Sequence, residues 1–452
     1  MTKVITYGTY DLFHQGHYNL LKRAKELGDY LIVGVTTDHF DEARGKLNVV
    51  ESTLERVENV RKTGLADEII IEDHEGQKIE DIQRYGVDIF TVGSDWIGTF
   101  DYLNEYCKVV YLDRTPGVSS TQIREDSFKV AHIGIVGTGR MAPRFIEGAK
   151  YVSGVDVVGA YNPEIDSVLE FKKEFDIPCA TENYEGFLKS VDAVYIASPN
   201  ETHFEYAKIA LENGKHVLCE KPIAFTKCES EMLYNYAKEN DLVLLEAVKT
   251  AFCPGFQQLI NVAKSGVIGD IRDVEAAFTR IAEDDSRERL DAEFGGSFLE
   301  LGSYTLLPIF KLLGIEYKDV HFHTMKDEKG VDVYTKVFFD YGHAIATGKT
   351  GLAVKSEGQL LVSGTKGYIL AESPWWLTKK FVVRYEDPDK IDTYNPVFQG
   401  DGGLRYEISE FISQINGRGK NGYKLTTEEA IAMAEVTERY MEHKKGRENN
   451  VR

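Results

Sequence analysis

Two histidines three residues apart are the first side chains of this sequence that could do chemistry. They follow the β-rich run KVITYG, and His14 and His17 fall at the start of the helix predicted after it. At a helix start, residues three apart lie on one face, beside backbone N–H groups that favour an anion. Gly16 lets a phosphate approach the backbone, and Gly8 and Thr9 would line the same opening. Two imidazoles aimed at one point can stabilise charge on phosphoryl oxygens while a bond to phosphorus is exchanged.

A second segment with phosphate-binding chemistry lies at RTPGVSSTQIR, after the last strand predicted in this part of the chain. Arg114 offers a bidentate fork for phosphate oxygens, and Gly117 permits an unusual turn. Ser119 and Thr121 place hydroxyl and N–H groups at the start of the helix predicted next. Because both segments occur in one run of alternating strands and helices, they predict a single domain that binds phosphate groups.

The strand-to-helix pattern restarts at KVAHIGIVGTGRMA. Gly137, Gly139 and Ala142 give the spacing G-x-G-x-x-A directly after a strand and before a helix. The glycines allow a tight turn and let a pyrophosphate approach backbone N–H groups, so the segment predicts a dinucleotide site. The next strand ends at Asn162, where an acid would bind the ribose 2′-OH and an arginine would hold a 2′-phosphate. Since the sequence places no obvious cation there, NAD is favoured over NADP.

Further along, polar residues follow two strand ends and one helix start. ASPNETH and LCEKP end consecutive strands, where an open parallel sheet binds ligands, and Lys221 would point toward the nicotinamide edge. Glu300 and Tyr304 lie four apart on the helix predicted from GGSFLELGSY, hence on one face. A lysine and a tyrosine suit proton relay beside a hydride carrier, so the acid/base would be Tyr304, Lys221 or the pair. The acidic run 283–293 is expected to be a solvated loop that could act as a lid.

The composition sets limits on the class of protein that carries these sites. The chain has 452 residues, 42% of them apolar and 28% charged, which is the profile of an ordinary globular protein. Acidic residues outnumber basic ones by 73 to 53, and a net charge of −20 argues against nucleic acid and anionic membranes as partners. The five cysteines are scattered without a CxxC pair, which indicates a reducing compartment and no structural metal. With no leader and no membrane-length apolar run, we expect a cytoplasmic protein.

These observations predict an α/β protein of three domains. A Rossmann-like domain that binds phosphate groups is expected over residues 1–127, and a Rossmann dinucleotide-binding domain over residues 128–250. Longer strands indicate that residues 251–452 form an α+β domain on a large, open, mostly antiparallel sheet, which would serve substrate binding and oligomerisation. An amphipathic helix capped by Thr426 or Thr427 lies near its end.

VITYGTYDLFHQGH, GDYLIVGVTTD, VGSDW and YLDRTPGVSSTQIR together resemble the glycerol-3-phosphate cytidylyltransferase family of the HxGH nucleotidyltransferase superfamily, from Thr2 to Arg124. The resemblance implies a Rossmann-like fold and transfer of a cytidylyl group from CTP to an alcohol phosphate, with Mg²⁺ assisting. It implies that His14 and His17 bind the triphosphate and stabilise the transition state at the α-phosphorus. The residues that it implies for holding the triphosphate and the incoming phosphate are Thr9, Asp11, Lys46, Arg114, Ser119 and Thr121. Asp95 and Trp96 would lie near the nucleotide.

GTGRMA, SPNETHFEYAKIALENGKHVLCEKP and GGSFLELGSY together resemble the Gfo/Idh/MocA oxidoreductase family, from Lys129 to the C-terminus. The resemblance implies a Rossmann half that takes NAD(P) and a second half whose open sheet often builds dimers or tetramers. It implies Lys221 as the active-site lysine, with Glu300 where the family usually has aspartate and Tyr304 where members have histidine or tyrosine. The residues expected at the dinucleotide are Gly137, Thr138, Gly139, Arg140, Met141, Asn162, Ser198, Pro199, Asn200, His203, Glu220 and Lys221.

The sequence thus predicts a bifunctional enzyme, with a CTP-dependent cytidylyltransferase and an NAD(P)-dependent oxidoreductase in one chain. We expect CTP, a small polyol phosphate and a small carbonyl or alcohol compound as ligands, and a homo-oligomer. The fusion suggests consecutive steps: reduction of a keto or aldehyde compound to a polyol, then coupling of the polyol phosphate to CMP, giving a CDP-polyol for surface-glycan assembly. Oxidoreduction of the CDP-linked product is an open alternative. So is a chain in which one half is a silent binding or oligomerisation module.

Overall fold

The chain divides into two compact units, residues 1–130 and 131–452, each with its own sheets. The structure is a computed structural model. It describes residues 1–37, 40–41, 49, 51–74, 76–113, 130–396, 398, 402–417 and 424–446. Within those residues, no helix combines the length and the apolar character that crossing a membrane requires.

The described part of the first unit is a five-stranded parallel sheet between helices. Its strands are β1 (Lys3–Gly8), β2 (Tyr30–Thr36), β3 (Glu68–Glu72), β4 (Ile89–Gly93) and β5 (Lys108–Leu112). Its helices are α1 (Gln15–Lys25), α2 (Thr53–Lys62) and α3 (Gln77–Tyr85), with short 3₁₀ turns at Ser94–Trp96 and Asp101–Glu105. Leu21 of α1 and Val60 of α2 belong to one apolar cluster, and Ile82 of α3 belongs to another. The strands are therefore apolar on both faces, as a covered parallel sheet requires.

The strand order of this sheet creates a crevice at its first strand. The order is β3-β2-β1-β4-β5, and all neighbours pair in parallel. Because the order reverses between β1 and β4, the connections after these two strands leave in opposite directions and open a gap at their carboxyl ends. The turn after β1 carries His14 and the turn after β4 is Ser94–Trp96. The fold therefore places the histidine turn and the turn that holds Asp95 and Trp96 at one switch point, whereas the predicted RTPG segment lies outside the described residues.

The second unit begins with a six-stranded parallel sheet. Its strands, all within the described residues, are β6 (Ala131–Val136), β7 (Val155–Tyr161), β8 (Cys179–Thr181), β9 (Ala193–Ile196), β10 (His216–Glu220) and β11 (Leu244–Ala247). The intervening helices are α4 (Met141–Ala149), α5 (Ile165–Phe175), α6 (Tyr184–Leu188), α7 (His203–Glu212) and α8 (Lys227–Glu239). The spatial order β11-β10-β9-β6-β7-β8 is that of a Rossmann fold, with its switch point between β6 and β9.

A mixed sheet of eight described strands and five further helices complete this unit. The strands are β12 (Ile271–Thr279), β13 (Asp319–Lys326), β14 (Asp332–Asp340), β15 (Ile345–Gly351), β16 (Leu360–Gly364), β17 (Gly367–Ala371), β18 (Phe381–Tyr385) and β19 (Ile391–Tyr394). The helices are α9 (Pro254–Lys264), α10 (Arg287–Leu290), α11 (Ser297–Leu313), α12 (Leu404–Ile415) and α13 (Thr427–Lys444). In the order β13-β14-β15-β12-β16-β17-β18-β19, β12 and β15 pair in parallel and the other neighbours are antiparallel. The predicted fold class, α/β with a large mostly antiparallel sheet, is confirmed.

The helices α12 and α13 connect the large sheet to the Rossmann half of the second unit. A Cβ on Gly148 of α4 would lie 3.2 Å from the side chain of Ile408 on α12, so the glycine lets these two helices pack closely. Ala430 of α13 belongs to the Rossmann core, and Tyr440 farther along packs on Phe298 of α11, with ring centroids 4.4 Å apart. The chain after residue 251 therefore supplies part of the Rossmann core. The division at residues 250 and 251 remains a prediction.

Loss of the α13 cap is expected to destabilise the second unit. The Thr426 hydroxyl accepts from the backbone N–H of Glu429, whose carboxylate accepts from the N–H of Thr426. Thr426→Ala removes half of this capping box, so the free energy of unfolding should fall by about 1 kcal/mol. The measurement is urea denaturation followed by tryptophan fluorescence, since Trp375 and Trp376 lie in this unit. Thr427→Ala, at an exposed helical position next door, should not destabilise the protein; an equal loss in both variants would contradict the assignment of the cap.

Candidate active sites

The two histidines of the first unit lie side by side at the start of α1. His14 is the N-cap residue, and its Nδ1 accepts a hydrogen bond from the backbone N–H of Gly16 at 3.0 Å. In a neutral ring, that bond leaves the proton on Nε2. The ring of His17 stacks on it, with centroids 4.0 Å apart and planes at 21°. The structure thus brings both imidazoles together at the positive end of a helix, where an anion is favoured.

The turn that carries these histidines holds two non-glycine residues in the left-handed region, Tyr10 at φ 54° and Leu12 at φ 48°. Each such residue costs about 1–3 kcal/mol, so the surrounding structure must hold it in place. Tyr10 is buried, and its ring meets that of His17 in a T-shaped contact, with centroids 5.6 Å apart. Burial also raises the pKa of Tyr10, which keeps its hydroxyl neutral. Burial of a large ring stabilises by a similar amount, so packing fixes the turn.

Arg56, which sequence reasoning missed, is the central polar contact of this turn. Its side chain is fully buried and donates to the backbone carbonyls of Thr9 at 2.8 Å and Thr36 at 2.9 Å. Its Nη1 also lies 3.2 Å from Oδ2 of Asp41, whose Oδ1 accepts from the Thr9 hydroxyl at 3.1 Å. The planar guanidinium group carries several N–H donors, so it can bind acceptors that lie in different directions. In the sequence, the one sign that this arginine is buried is its position beside Val57, an apolar residue on the core face of α2.

Of the other residues predicted for the first unit, four lie at the end of β1 or in the turns after β1 and β4, and four lie outside the described residues. Gly8 ends β1, and Asp11 is buried in the turn after it, with its Oδ1 accepting from the backbone N–H of Glu51 at 2.9 Å. Asp95 and Trp96 form the turn after β4, and Trp96 is 42% exposed. Four predicted residues lie outside the described residues: Lys46, Arg114, Ser119 and Thr121.

Among the described residues of the first unit, no three His, Cys, Asp or Glu side chains converge as a metal site. Mg²⁺ in nucleotide sites is usually held by phosphates together with one or two carboxylates. Asp11, in the histidine turn, is compatible with that arrangement.

In the second unit, a cavity of about 860 Å³ gathers the predicted oxidoreductase residues. It lies at the carboxyl ends of β6, β9 and β10, where an open parallel sheet binds ligands. The predicted residues that line it are Gly137, Thr138, Gly139, Arg140, Met141, Asn162, Ser198, Pro199, Asn200, His203, Glu220, Lys221, Glu300 and Tyr304. The structure therefore brings together residues that lie more than one third of the chain apart, from Gly137 to Tyr304.

The turn after β6 leaves room for a ligand at the backbone. Gly137 has φ +92°, and a Cβ there would lie 2.8 Å from the carbonyl oxygen of Ala197 and from the backbone of Ser198. At Gly139 a Cβ would meet nothing closer than 4.0 Å, so the space beside this residue is open. The N-terminus of α4 follows at Met141 and favours an anion. These residues fit a dinucleotide whose pyrophosphate lies on the turn.

Asn162 lies in a small neutral cluster at the end of β7. Its Nδ2 donates to the Thr138 hydroxyl at 2.7 Å, and its Oδ1 accepts from the backbone N–H of Glu164 at 2.9 Å. The Thr138 hydroxyl is in turn 2.7 Å from that of Ser167. The charged side chains nearest to Asn162 along the chain are carboxylates, Glu164 and Asp166, both exposed. The cluster offers hydroxyl and amide groups to a ribose and no cation to a 2′-phosphate.

His203 joins the two loops that carry the SPN and EKP motifs. Its buried ring nitrogens lie 2.9 Å from the carbonyl oxygen of Ser198 and 2.8 Å from that of Pro222. Because Pro222 follows Lys221 directly, the histidine fixes the lysine loop against the end of β9.

Lys221 lies beside the two predicted residues of α11. Its ammonium donates to the backbone carbonyl of Glu300 at 2.8 Å, lies 3.7 Å from the Glu300 carboxylate, and is 5.7 Å from the ring centroid of Tyr304. Tyr304 is buried, and burial raises the pKa of its hydroxyl, with the negative charge of Glu220 adding to the effect. The hydroxyl therefore keeps its proton near neutral pH and can donate it to a carbonyl oxygen.

Asp332 of β14 fixes the start of α11 and thereby the position of Glu300. Its buried Oδ2 accepts from the hydroxyl of Ser297 at 2.7 Å and from the backbone N–H of Phe298 at 2.9 Å. Gly296 has φ +104°, and a Cβ there would overlap the Asp332 carboxylate at 1.6 Å. The second glycine of the GGS motif is therefore required by the cap.

Four charged side chains form a network that sequence reasoning did not connect. Arg140 lies 3.1 Å from the carboxylate of Glu288 and 2.7 Å from that of Glu300. Arg280 pairs with Glu288 and lies 3.8 Å from Glu300. Burial raises the pKa of Glu288, but its hydrogen bonds and the two arginines outweigh this and lower it. The expected solvated loop at 283–293 thus contributes a wall of the cavity through Glu288.

Three glutamates of the second unit have buried carboxyl groups: Glu220, which lines the cavity, and Glu246 and Glu407. Glu220 accepts from the Tyr195 hydroxyl at 2.7 Å, and Glu246 accepts from the backbone N–H of Ile223 at 3.1 Å. Burial raises the pKa of all three, Glu220, Glu246 and Glu407, and that of Glu246 to about 7. One of these hydrogen bonds joins β9 to the end of β10, directly before Lys221, and the other joins the edge strand β11 to the loop directly after it.

Replacing Glu246 by glutamine should make stability less dependent on pH. This carboxyl has a pKa of 4.5 ordinarily and about 7 in the folded protein, so between these values the folded state binds the extra proton and stability falls as the pH rises. Glutamine carries no charge and can still accept from Ile223. From pH 4.5 to 8, the wild type should lose about 2–4 kcal/mol of unfolding free energy relative to Glu246→Gln, measured by urea denaturation. Glu174→Gln, at an exposed position, is the control; equal pH slopes for wild type and Glu246→Gln would refute the raised pKa.

Comparisons with protein families agree with this division of the chain. Residues 5–126 match the family described as cytidylyltransferase-like. Residues 131–248 match the oxidoreductase family with an NAD-binding Rossmann fold, and residues 256–370 match the GFO/IDH/MocA C-terminal domain.

Individual relatives match one unit each. The glycerol-3-phosphate cytidylyltransferase of Bacillus spizizenii is 52% identical over 127 residues, which is 28% of this chain and 97% of that protein. The scyllo-inositol 2-dehydrogenase (NADP(+)) IolU of Bacillus subtilis is 28% identical over 316 residues, 67% of this chain and 94% of that protein. Among solved structures, KijD10, a 3-ketoreductase from Actinomadura kijaniata in complex with NADP and TDP-benzene, has a TM-score of 0.59 at 23% identity, covering 68% of this chain and 95% of that chain.

The matches cover nearly the whole length of these relatives, so both resemblances found in the sequence are confirmed. The chain belongs to the cytidylyltransferase family over its first unit and to the GFO/IDH/MocA oxidoreductase family over its second, and it joins nucleotidyltransferase with NAD(P)-dependent oxidoreductase activity.

Proposed function

We propose that the two activities serve one product, a CDP-polyol. The second unit reduces a small keto or aldehyde compound to a polyol, and the first transfers the cytidylyl group of CTP to the polyol phosphate. The observation that carries this proposal is that one chain holds both a histidine pair at a switch point and a cavity lined by every predicted oxidoreductase residue. Tethering two sites raises the local concentration of a shared intermediate. A CDP-polyol is an activated donor, and surface-glycan assembly is its proposed use.

In the first unit, the proposed acceptor is a glycerol-phosphate-like compound, which the name of the 52% identical relative supports. A phosphate oxygen of the acceptor forms a bond to the α-phosphorus of CTP, and the bond to the leaving pyrophosphate breaks. His14 and His17 stabilise charge on the phosphoryl oxygens, and no covalent enzyme intermediate is needed. The contacts to the phosphates are assigned to Thr9, Asp11, Lys46, Arg114, Ser119 and Thr121, with Mg²⁺ on the nucleotide. Asp95 and Trp96 are assigned to the nucleotide.

In the second unit, the proposed proton donor is Tyr304. A bound nicotinamide supplies the reducing equivalents. The Tyr304 hydroxyl, kept protonated by burial, donates to the carbonyl oxygen, and the ammonium of Lys221 stabilises the negative charge that develops there. The Glu300 backbone carbonyl holds Lys221 in place, and the Glu300 carboxylate can accept from a substrate hydroxyl.

We propose a homo-oligomer, a dimer or tetramer, built through the large sheet of the second unit. Three large apolar side chains of this sheet are exposed among the described residues: Met325 of β13, Ile345 of β15 and Ile391 of β19. Exposed apolar groups on a broad sheet are favourable to cover with a second copy.

The two active sites are expected to fail independently. With CTP, Mg²⁺ and a panel of polyol phosphates, His17→Ala should lower pyrophosphate release by about 100-fold or more, because a group that stabilises the transition state is lost. Lys221→Ala should leave this rate unchanged and lower nicotinamide turnover with small carbonyl compounds by about 100-fold or more. Each variant is the control for the other. Equal loss of both rates in both variants would contradict two separate sites, and absent turnover in one wild-type unit would identify it as a silent module.

The proposed cofactor is NAD, although NADP appears with both the inositol dehydrogenase and the ketoreductase. The neutral cluster around Asn162 and the carboxylates after it offer no cation to a 2′-phosphate. We expect kcat/KM for NADH to exceed that for NADPH by about tenfold or more. Asn162→Arg should shift this ratio toward NADPH by a similar factor, whereas Asn162→Ala, which removes the same hydrogen bonds without adding a cation, should not. Preference of the wild type for NADPH would refute the proposal.

A further inference from the structure

Basic side chains outnumber carboxyl groups in the lining of the oxidoreductase cavity. The six basic residues are Arg140, Arg144, Lys221, Lys249, Arg280 and Arg287, and the four acidic residues are Glu220, Glu283, Glu288 and Glu300. The cations that form ion pairs with carboxylates are Arg140, Lys221, Arg280 and Arg287. Arg144 and Lys249 form no ion pair with any residue that the structure describes. The uncompensated positive charge of the cavity therefore lies at these two side chains.

Lys249 lies at the carboxyl end of β11, in the 3₁₀ turn Lys249–Phe252. Because β10 and β11 pair in parallel, this end is next to the loop that carries Lys221. The Lys249 side chain is only partly exposed, and its ammonium is open to the cavity and makes no hydrogen bond with the described residues. A partly buried charge without a partner is costly, so an anion bound in the cavity would stabilise it.

The carboxyl groups closest to Lys249 do not neutralise it. Glu220 and Glu407 act on it electrostatically without reaching ion-pair distance, and burial raises the pKa of both, which favours their neutral forms. Burial lowers the pKa of Lys249, and the positive charge of Arg144 on α4 lowers it further, so the two cations lie within electrostatic range of each other. A bound anion opposes both effects. Two such cations in one cavity suit a phosphoryl group.

The pyrophosphate of the cofactor is not placed to serve Lys249. A pyrophosphate on the glycine turn lies after β6, and the sheet order puts β9 and β10 between β6 and β11. Three strand spacings of about 4.8 Å separate the two strand ends by roughly 14 Å, which exceeds the reach of a lysine side chain. The anion that Lys249 would bind therefore belongs to the substrate.

Lys249 lies on the side of the cavity where the carbonyl group is expected. Burial raises the pKa of Tyr304, and negative charge on Glu220 or Glu407 raises it further. Because the same two carboxyl groups act on Lys249, the lysine lies beside the proposed proton donor. A substrate whose carbonyl oxygen reaches Tyr304 can thus place an anionic substituent at Lys249.

We propose that the oxidoreductase site takes a short ketone or aldehyde that carries a phosphoryl group, and that Lys249 and Arg144 hold this group while the carbonyl lies at Tyr304. This inference rests on the proposed reductase function. The first unit gives the reason to prefer a phosphoryl group over a carboxylate, because its acceptor must carry one. The group comes from a phosphate ester or from a nucleotide-linked compound, and both offer the oxygens that the two cations recognise.

A phosphorylated substrate lets the two activities follow each other directly. Reduction forms a C–H bond with the hydride of NAD(P)H and an O–H bond with a proton from Tyr304, so C=O becomes CHOH and NAD(P)⁺ is left. The bonds to phosphorus are unchanged. A phosphate ester is thereby converted into an alcohol phosphate, whose phosphate oxygen is the nucleophile of cytidylyl transfer. With a nucleotide-linked substrate, reduction follows the transfer instead.

Steady-state kinetics on the full-length protein tests the inference. The substrates are dihydroxyacetone, erythrulose and ribulose with their phosphate esters, and, in the oxidative direction, glycerol, glycerol phosphate and CDP-glycerol. We expect kcat/KM for the phosphorylated member of each set to exceed that for the uncharged one by about tenfold or more. Preference for CDP-glycerol over glycerol phosphate supports the inference and identifies the nucleotide-linked source. An uncharged compound used as well as the phosphorylated ones overturns the inference and leaves the reductase function standing, and no turnover of any member overturns both.

Lys249→Gln supplies a readout that a purely structural role would not move. It should lower the ratio of kcat/KM for phosphate ester to uncharged substrate by about tenfold or more, because a charge that contacts the phosphoryl group is lost. Arg144→Gln should lower the ratio in the same direction. Lys238→Gln, at an exposed position on α8 that does not line the cavity, is the control and should leave the ratio as it is in the wild type. An unchanged ratio in Lys249→Gln overturns the inference.

Inhibition of the wild type by inorganic phosphate is a test that does not depend on any variant folding. With NADH saturating, phosphate should compete with the carbonyl substrate. Phosphate that competes with NADH and not with the carbonyl substrate would assign the anion site to the glycine turn and overturn the inference.

Discussion

In both parallel sheets of this protein, the strand order reverses beside the first strand, and the connections on either side of the reversal must diverge. A gap at the carboxyl ends of β1 and β4 in one unit, and of β6 and β9 in the other, follows from that geometry alone. Backbone N–H groups at the helix starts that follow β1 and β6 make each gap attractive to phosphate groups. The two units share this constraint and differ in what they place at the gap, a histidine pair in one and a glycine turn in the other.

The carboxylate of Glu300 joins the two ends of the second cavity. It contacts Arg140, which belongs to the glycine turn after β6, and Lys221, which lies beside Tyr304. Its own position depends on the cap that Asp332 gives to α11. A change in charge at the glycine turn therefore alters the electrostatic environment of the Lys221 ammonium through the shared carboxylate of Glu300.

The elements and motifs that depend on local sequence could be predicted, whereas the long-range pairings could not. Strand and helix alternation, the glycine turn at Gly137 and the cap region at Thr426 each depend on a few neighbouring residues. Arg56 reaches a carbonyl 47 positions away, and Arg140 reaches a carboxylate 160 positions away. Such partners are chosen by the packing of whole elements, so charge patterns along α2 or the acidic run could not reveal them. The parallel pairing of β12 with β15 within an antiparallel sheet is another product of topology that periodicity does not encode.

The position of α13 in the chain has a consequence for synthesis. This helix fills part of the Rossmann core through Ala430, and Lys444 near its end donates to the backbone carbonyls of Glu293 and Gly295, just before α11. Because α13 follows every other element of its unit, that core stays incomplete until the helix has left the ribosome. The first unit depends on no such late segment among its described elements and can fold while translation continues. The nascent chain can therefore pass through a stage in which the transferase unit is folded while the reductase unit is still incomplete.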